Sequence, residues 1–575
     1  MKCLRDASSS GNVSDFFVKV NSDLGNNVSA AEGALAFHTV AHHHSFSSMD
    51  CTPALLRKIF PDSKIASKLS AGRTKTIAIV KSVLAPHSLE TLTSSLTDIA
   101  FVGVSTDSSN HGSIKMFPIL VHYFDHKNGG LQIKLCNIEC KGNEKADTIA
   151  AYVGDTLDAF NIRQKCVAFG ADNCNTMFGG IARGGGNNVF SSLKRTVNDT
   201  LVGTGCPAHI LNNCIQHGVD VLEVDLQALI VKIYNYFSIY TVRVESLKEF
   251  CEFVDIEYQQ LLSHCQTRWL SLFPAVQRLL LMFPALKSFF LSQSKPPAVL
   301  KKFFEDPFSE IYLLHVQSLV ATFHSYIRKL EAEDNSIIDA LKILSTLRSL
   351  LEERNNAKFT PLKVKDMLHE LESDGYLSEI NRFWHDVQAV YESCLEYLDM
   401  WIQPFKEFSV FGWLDFEDMS WDAVESCIQY LEKKGVKIDD SKCFDQFSNL
   451  KAFVAKYEEK SQAIHKKWCD YINWCKSAEQ YEELLKIVQF FFSIPAHNAA
   501  VERLFSLINA QWTKERNRLC IDSIKAIALV KFNFRNYTCA TFYDYLTKNA
   551  LLLKKISSGD KYTGSQGLEP LSPPP

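Results

Sequence analysis

The sequence predicts a protein that combines an α/β unit with a large all-α region and a helical N-terminal segment. Between about 99 and 172, short apolar runs and one amphipathic stretch follow one another in the order β-β-β-α-β. From about 220 to 485, apolar residues recur at helical spacing without a fixed-period repeat. The block 53–85 also has helical spacing and is the most basic stretch of the chain.

Composition limits the class of protein before any motif is considered. The 575 residues correspond to about three to four domain equivalents, and 46% of them are hydrophobic, enough for a large core. A net charge of −4 excludes a histone-like polycation, a strongly acidic tail protein and a wholly disordered chain. A local basic surface for nucleic acid remains compatible with it.

Cysteine usage and the apolar stretches predict the compartment. The 17 cysteines are too sparse for a disulfide scaffold, and no Cys-x2-Cys pair occurs. The first residues lack the apolar core of a secretory signal. The most apolar stretch, Leu279 to Leu291, is too short to span a bilayer and contains Lys287. We therefore expect an intracellular, reduced protein with no membrane partner.

The N-terminal part divides into a tail and a basic segment. Residues 1–30 are rich in Ser, Asn and Gly, which predicts a disordered tail. Residues 31–95 form the predicted basic helical segment. It is either a solvated helical face or a surface for nucleic acid or a partner. Its basic residues are Arg57, Lys58, Lys64, Lys68, Arg73, Lys75 and Lys81.

Each element of the α/β unit has its own local signal. Ala100–Ser105 and Phe117–Phe124 are short apolar runs, and Leu131–Leu135 alternates with period two. Residues 146–160 place apolar side chains at helical spacing, and Cys166–Ala171 is another buried-type strand. The glycine-rich loop that follows lacks the Gly-Lys-Ser/Thr ending of a phosphate-binding loop, so no nucleotide role and no small-molecule substrate are predicted.

Two predicted strands of this unit each end in an aspartate. Asp107 follows the first strand and Asp172 follows the last. Carboxylates held at neighbouring strand ends can share divalent cations, as in nucleases and strand transferases. The same pattern also arises when Asp caps the next helix, so spacing alone leaves both interpretations open.

The remaining regions are predicted from composition and periodicity. Residues 221–484 form a helical insertion whose tryptophans are predicted to lie in its core. The tail 546–575 is rich in Ser, Gly and Pro, which predicts disorder.

Several segments, taken in order, resemble hAT-superfamily transposases. SIPAHNAAVERLFSLINAQWTKERNRL (493–519) resembles the C-terminal dimerisation region of that family. The segments that resemble other blocks of the family are AFHTVAHHHSFSSMDC (36–51), LSAGRTKTIAIVKSVLAP (69–86), STDSSN (105–110), FGADNCNTMFGG (169–180), CPAHILNNCIQ (206–216) and QTRWLS (266–271).

This resemblance implies an RNase H-like core split by a large helical insertion. The core would consist of 96–220 and the beginning of 485–545, whose remainder would be the dimerisation region. The resemblance implies Asp107, Asp172 and Glu502 as catalytic carboxylates that bind Mg²⁺ or Mn²⁺. It further implies DNA and a second copy of the chain as partners, and a nuclear location.

Four further residues are candidates for DNA contact. By spacing, Cys206 and His209 are half of a zinc site with no obvious other half. The resemblance implies a place near the active site, where they could help position a nucleotide, and the alternative is a turn with a buried thiol. Arg268 and Trp269 are candidates for stacking on a displaced base, or else Trp269 packs in the insertion core.

Two other clusters are interpreted more simply. The run His42–His44 near Cys51 is assigned to the region before the core rather than to a metal site. Lys514, Arg516 and Arg518 either contact the phosphate backbone or are ordinary charges at a helix end.

The chain departs from the family in lacking a BED-type zinc finger before residue 36. Two functions are therefore predicted side by side. One is a dimerising, DNA-associated protein with a metal-dependent Asp-Asp-Glu site for cleavage and strand transfer. The other is a domesticated, catalytically silent protein that acts through self-association and partner or chromatin binding.

Overall fold

The computed structural model describes residues 13–112, 114–140, 142–180, 186–264, 271–513 and 519–565. These residues form a mostly helical protein with one small mixed sheet. The predicted combination of an α/β unit with a helical region is confirmed at this level.

The sheet places two parallel strands side by side at its centre. Its strands are β1 (Val102–Thr106), β2 (Ser109–His111), β3 (Ile114–Asp125), β4 (Gly130–Cys140), β5 (Cys166–Ala171) and β6 (Val202–Gly205). The spatial order is β4-β3-β1-β5-β6, and β2 also pairs with β3. β1, β5 and β6 are parallel, whereas β3 runs antiparallel to β1, β2 and β4.

The predicted β-β-β-α-β order is confirmed by β1, β3, β4, helix Ala146–Ala159 and β5. The short strand β6 was not predicted. Its sequence, Val-Gly-Thr-Gly, contains two glycines, which weaken a strand signal. Its backbone pairing with β5 stabilises the strand, although its local sequence does not indicate one.

The N-terminal helices are α1 (Val13–Ala41), α2 (Thr52–Ile59), α3 (Lys64–Lys68), α4 (Arg73–Ile79) and α5 (Ala85–Thr97). The prediction of a disordered tail through residue 30 is wrong for the described part, because α1 begins at Val13. Ala30, Ala36 and Phe37 of this helix are buried in a core shared with the C-terminal helices. A distant segment therefore stabilises a helix that composition alone did not predict.

Four helices complete the α/β unit, and twelve more lie in the described part of the insertion. The four are α6 (Ala146–Ala159), α7 (Asn175–Phe178), α8 (Val189–Thr196) and α9 (Pro207–Asp220). The twelve are α10 (Leu226–Ser238), α11 (Thr241–Phe253), α12 (Leu272–Leu281), α13 (Phe283–Ser292), α14 (Ala298–Glu305), α15 (Phe308–Leu330), α16 (Ile337–Asn356), α17 (Leu362–Ser373), α18 (Leu377–Ile402), α19 (Trp421–Lys433), α20 (Asp440–Val454) and α21 (Ile464–Trp474).

The tryptophans of the insertion are largely structural. Trp401, Trp413 and Trp468 are buried in the largest core of the protein, whereas Trp474 is half exposed. Among the described helices, none alone has the length and apolar character needed to cross a membrane. The pair α12 and α13 meets that requirement only jointly, across a bend of 65°.

The last five helices return the chain to the sheet. They are α22 (Glu482–Ser493), α23 (Ala499–Gln511), α24 (Ile521–Asn533), α25 (Cys539–Thr547) and α26 (Ala550–Ser557). α22 packs against β1, β3 and β5, and α24 packs against β4. The predicted disordered tail from 546 is wrong in its first part, because Leu552, Leu553 and Ile556 of α26 are buried against α1 and its neighbours.

Two glycines allow the chain to cross closely over the sheet after α22. A Cβ on Gly103 of β1 would overlap the carbonyl oxygen of Ser493, and one on Gly170 of β5 would lie 2.7 Å from Pro495. Thr204 of β6 donates a hydrogen bond to the Pro495 carbonyl at 2.9 Å. The segment 493–495 is thus held directly above the three parallel strands.

We expect Gly103→Ala to destabilise the protein by about 3 kcal/mol or more, because backbone rather than a flexible side chain must move. Urea denaturation followed by circular dichroism measures this change. Gly142→Ala is the matched control, since a Cβ there meets open space. Equal stability of the two variants would contradict the close approach.

Candidate active site

The sheet brings the two predicted aspartates to the same edge. β1 and β5 are adjacent and parallel, with Ser105 opposite Gly170. Asp107 and Asp172 each lie two residues beyond this pair, so both follow the carboxyl ends of neighbouring strands. Asp107 is 7% exposed, and its carboxylate accepts a hydrogen bond from the Ser108 amide at 2.7 Å.

The start of α9 is fixed against the end of β5. The amide of Cys206 donates to the carbonyl of Ala171 at 2.9 Å, and the Asn173 side chain donates to the carbonyl of Cys206 at 3.0 Å. Cys206 is the N-cap of α9 and is buried. This turn orients the first turn of α9, and with it His209, toward the strand ends.

Asn498 connects the third chain segment to the same edge. Its side chain donates to the carbonyl of Thr106 at 3.2 Å, and its amide donates to the Cys206 sulfur at 3.5 Å. Asn498 is also the N-cap residue of α23. The helix therefore begins beside both strand ends, and Glu502 lies in its first turn.

Three of the predicted site residues meet in one cluster. The ligand atoms of Asp107, His209 and Glu502 all lie within 4.8 Å of one another. Asp172 is outside this closest group, but its charge acts on all three of these residues. The closest group is thus one imidazole with two carboxylates, and the charge of Asp172 acts on it from nearby.

Burial and mutual repulsion perturb the ionisation of the cluster. Burial, followed by the charges of Asp172 and Glu502, raises the pKa of Asp107 well above its ordinary value. Burial, followed by the charges of Glu331 and Asp172, raises the pKa of Glu502 to about 7. Burial lowers the pKa of His209 to about 4, so its imidazole is neutral at neutral pH.

The cluster has the composition of a cation site. Among the described residues, no Lys or Arg forms an ion pair with Asp107, Asp172 or Glu502. Carboxylate oxygens are the ligands that Mg²⁺ favours, and an imidazole nitrogen adds a ligand that suits Mn²⁺. A divalent cation would offset the repulsion that raises the pKa of the two acids.

The helical insertion contributes a fourth acid that the sequence did not indicate. Glu331 follows α15. Among the neighbouring charges, that of Glu331 raises the pKa of Glu502 the most. Arg503 donates to the Glu331 carbonyl at 3.1 Å and pairs with Glu333, also at 3.1 Å. His497 bonds through Nε2 to the carbonyl of Ala332 at 3.0 Å. The loop after α15 is therefore fastened to the start of α23.

We expect Glu331→Gln to lower the pKa of Glu502, because it removes a like charge. The pH at which Mn²⁺ binding is half maximal, measured by calorimetry, should move downward. Glu333→Gln in the same loop is the control and should leave this midpoint unchanged, since Glu333 pairs with Arg503. An unchanged midpoint in Glu331→Gln would remove Glu331 from the site.

Some predicted contact residues cannot be placed. Arg268 and Trp269, and likewise Lys514, Arg516 and Arg518, lie outside the described residues. Of the basic N-terminal segment, Arg73 pairs with Asp50 and Lys75 pairs with Glu32. Its Lys58, Lys64 and Lys68 are exposed.

Comparison of the chain with protein-family models gives no match, and comparison with curated proteins gives none either.

Proposed function

We propose that this chain is a hAT transposase-like protein whose Asp107, Asp172 and Glu502 form a metal-dependent site for DNA cleavage and strand transfer. One observation carries the proposal. Asp107 and Glu502, from distant parts of the chain, meet with His209 in one partly buried cluster on which the charge of Asp172 also acts, and no described Lys or Arg pairs with these acids.

The topology supports an RNase H-like core. The order β4-β3-β1-β5-β6, in which β3 alone runs opposite to the other four strands, is the strand order of that fold. The first two acids follow its central strands, and the third lies on a helix that returns after the insertion. This placement matches the catalytic residues that the family resemblance implies.

In the proposed reaction, Asp107, Asp172, Glu502 and His209 are the residues that would hold divalent cations at the sheet edge. The bound cations would activate a water or a 3′-hydroxyl and stabilise the leaving oxygen. Asn498 positions Glu502 by linking α23 to the end of β1 and to Cys206. The N–H of neutral His209 can donate to a phosphate oxygen, or its other ring nitrogen can provide a metal ligand.

DNA is the proposed substrate and a second copy of the chain a proposed partner, with the nucleus as the proposed location. Lys58, Lys64 and Lys68 are exposed cations available to the phosphate backbone.

Most of the described part of the proposed dimerisation region is buried within the chain, since α22 and α24 pack on the sheet. Deleting 485–540 would therefore remove core helices and Glu502, so it cannot report on self-association. Light scattering of the full chain at micromolar concentration tests it instead.

A structure determined with Mn²⁺ tests the metal site directly. We expect anomalous density for one or two ions bound by Asp107, Asp172 and Glu502. The Asp107→Asn variant should lose this density while keeping its fold. Absence of Mn²⁺ at millimolar concentration would overturn the catalytic proposal and favour the silent, self-associating protein.

A further inference from the structure

Helix α2 presents apolar and basic side chains together to the solvent. Leu55, Ile59 and Phe60 are 57%, 54% and 52% exposed. Lys58 and Ile59 follow Leu55 by three and four residues, so these side chains share one face of the helix. Lys64, the first residue of α3, is a second exposed cation beside this face. We call these five residues the α2 surface.

The α2 surface is fixed in place and positively charged. α2 packs against α3, and the Arg57 guanidinium donates to the carbonyl of Leu69 at 2.5 Å, which ties the end of α2 to the end of α3. Residues 52–70 contain four basic residues and one acid, Asp62. Within the described ranges, no Asp or Glu forms an ion pair with Lys58 or Lys64.

The end of α11 has apolar character and the opposite charge. Phe253, the last residue of this helix, is 81% exposed. Glu252, Asp255 and Glu257 next to it in the sequence are exposed as well, and residues 249–258 include no Lys or Arg. In the part of the chain that the structure describes, no cation pairs with these three acids. We call these four residues the α11 surface.

The α11 surface concentrates negative charge at a helix end that is already negative. The carboxyl end of a helix is equivalent to about half a negative charge, and cations there stabilise it. The last turn of α11 has no basic residue and contains Glu252. The chain then reverses at Asp255, which has a φ of 56°, and the Ile256 amide donates to the carbonyl of Cys251 at 2.9 Å. The helix end and the acids therefore attract the same cation.

We propose that the α2 surface of one copy of the chain docks on the α11 surface of a second copy. The two surfaces are complementary in charge, which favours their encounter and sets their orientation. Each also has an exposed aromatic side chain, Phe60 or Phe253, that the contact would remove from water. The proposal rests on the self-association part of the proposed function and names its surfaces, and it does not depend on the metal site.

Other occupants of the two surfaces match them less well. Two α2 surfaces facing each other would bring like charges together, and so would two α11 surfaces. DNA matches the lysines of α2 but offers its phosphate backbone no use for the exposed apolar side chains, and the acids of α11 repel it. Because the two docking surfaces differ, the contact either forms twice in a two-fold dimer or repeats from copy to copy.

Charge reversal in the full-length protein tests the proposal. Lys58→Glu with Lys64→Glu makes the α2 surface negative, and Glu252→Lys with Glu257→Lys makes the α11 surface more positive. We expect the parent to associate at micromolar concentration in light scattering, and each double variant to associate at least about tenfold more weakly. An equimolar mixture of the two variants should recover association, because the altered α2 surface of one then meets the altered α11 surface of the other.

Lys433→Glu with Lys437→Glu is the matched control. Both lysines are exposed at and just after the end of α19, and their reversal changes the net charge as much as that of Lys58 and Lys64. This variant should associate like the parent. Phe253→Ala changes no charge and should weaken association about tenfold, as loss of an aromatic anchor does. Circular dichroism should show the parental fold for every variant, since each altered side chain is exposed.

The possible failures are distinguishable. A parent that stays monomeric would overturn this proposal together with self-association, but it would leave the metal site unaffected. A parent that associates, with double variants that associate equally well, would overturn this proposal alone. Double variants that associate weakly and stay apart when mixed would also overturn it. If reversal of Lys58 and Lys64 lowers plasmid binding but not association, the α2 surface binds DNA and the proposal is wrong.

Discussion

Asp172→Asn is expected to abolish Mn²⁺-dependent DNA cleavage. The substitution keeps the size and shape of the side chain but removes the charge that acts on both Asp107 and Glu502. Loss of one carboxylate from a metal site removes several kcal/mol of transition-state stabilisation, and about 4 kcal/mol corresponds to about a 10³-fold lower rate. Nicking of supercoiled plasmid measures the rate without knowledge of a target sequence.

Asp155→Asn is the control for this experiment. Asp155 is an exposed aspartate of α6 in the same α/β unit, and its variant should cleave at the parental rate. An Asp172→Asn protein that cleaves as fast as the parent would refute the assignment. A parent that binds Mn²⁺ at the cluster but does not cleave would favour the catalytically silent alternative.

Glu502→Gln is expected to stabilise the metal-free protein above neutral pH. Burial and neighbouring acids raise the pKa of Glu502 from an ordinary 4.5 to about 7 in the folded state. Between these values the folded protein binds its proton more tightly than the unfolded chain does. The free energy of unfolding, as far as Glu502 determines it, is therefore highest below about pH 4.5, decreases as the pH rises, and is lowest above about pH 7.

Gln carries no charge at any of these pH values, so the free energy of unfolding of the variant does not decrease for this reason as the pH rises. Its free energy of unfolding should exceed that of the parent by about 1–3 kcal/mol near pH 8 and equal it near pH 4. Urea denaturation in the presence of a chelator measures both. Adding Mn²⁺ should make the parent more stable than the variant, because only the parent keeps all three carboxylates.

Glu249→Gln, at an exposed position of α11, is the control and should change stability at neither pH. If Glu502→Gln also has no effect near pH 8, Glu502 is not held in a repulsive buried cluster. That result would bear on the geometry of the site whether or not the protein cleaves DNA.

Local patterns predicted much of the α/β unit. Alternation and short apolar runs indicate strands because they report which side chains a strand buries. They placed β1 and β5, and thus Asp107 and Asp172 at the strand ends. The resemblance of the 493–519 segment to a known family singled out Glu502, which periodicity alone would have left as an ordinary helical glutamate.

Other parts of the site have no local signal. Glu331 acts on Glu502 only because the loop after α15 is fastened to α23 by Arg503 and His497. Nothing near residue 331 in the sequence indicates this contact. The Cys206-x-x-His209 spacing indicated no neighbours from elsewhere in the chain, whereas the structure places His209 beside Asp107 and Glu502.

The sequence by itself determined the strand ends that carry two acids, the helical character of the insertion and the burial of Trp401, Trp413 and Trp468 in its core. These features follow from the chemistry of the side chains and from the spacing of apolar residues within short segments of the sequence. Only the tertiary structure decided that α1 is ordered, that Glu331 faces the acidic cluster, and that His42 meets Cys539 rather than the nearby Cys51. Such pairings depend on how distant segments pack, which residue spacing along the chain does not encode.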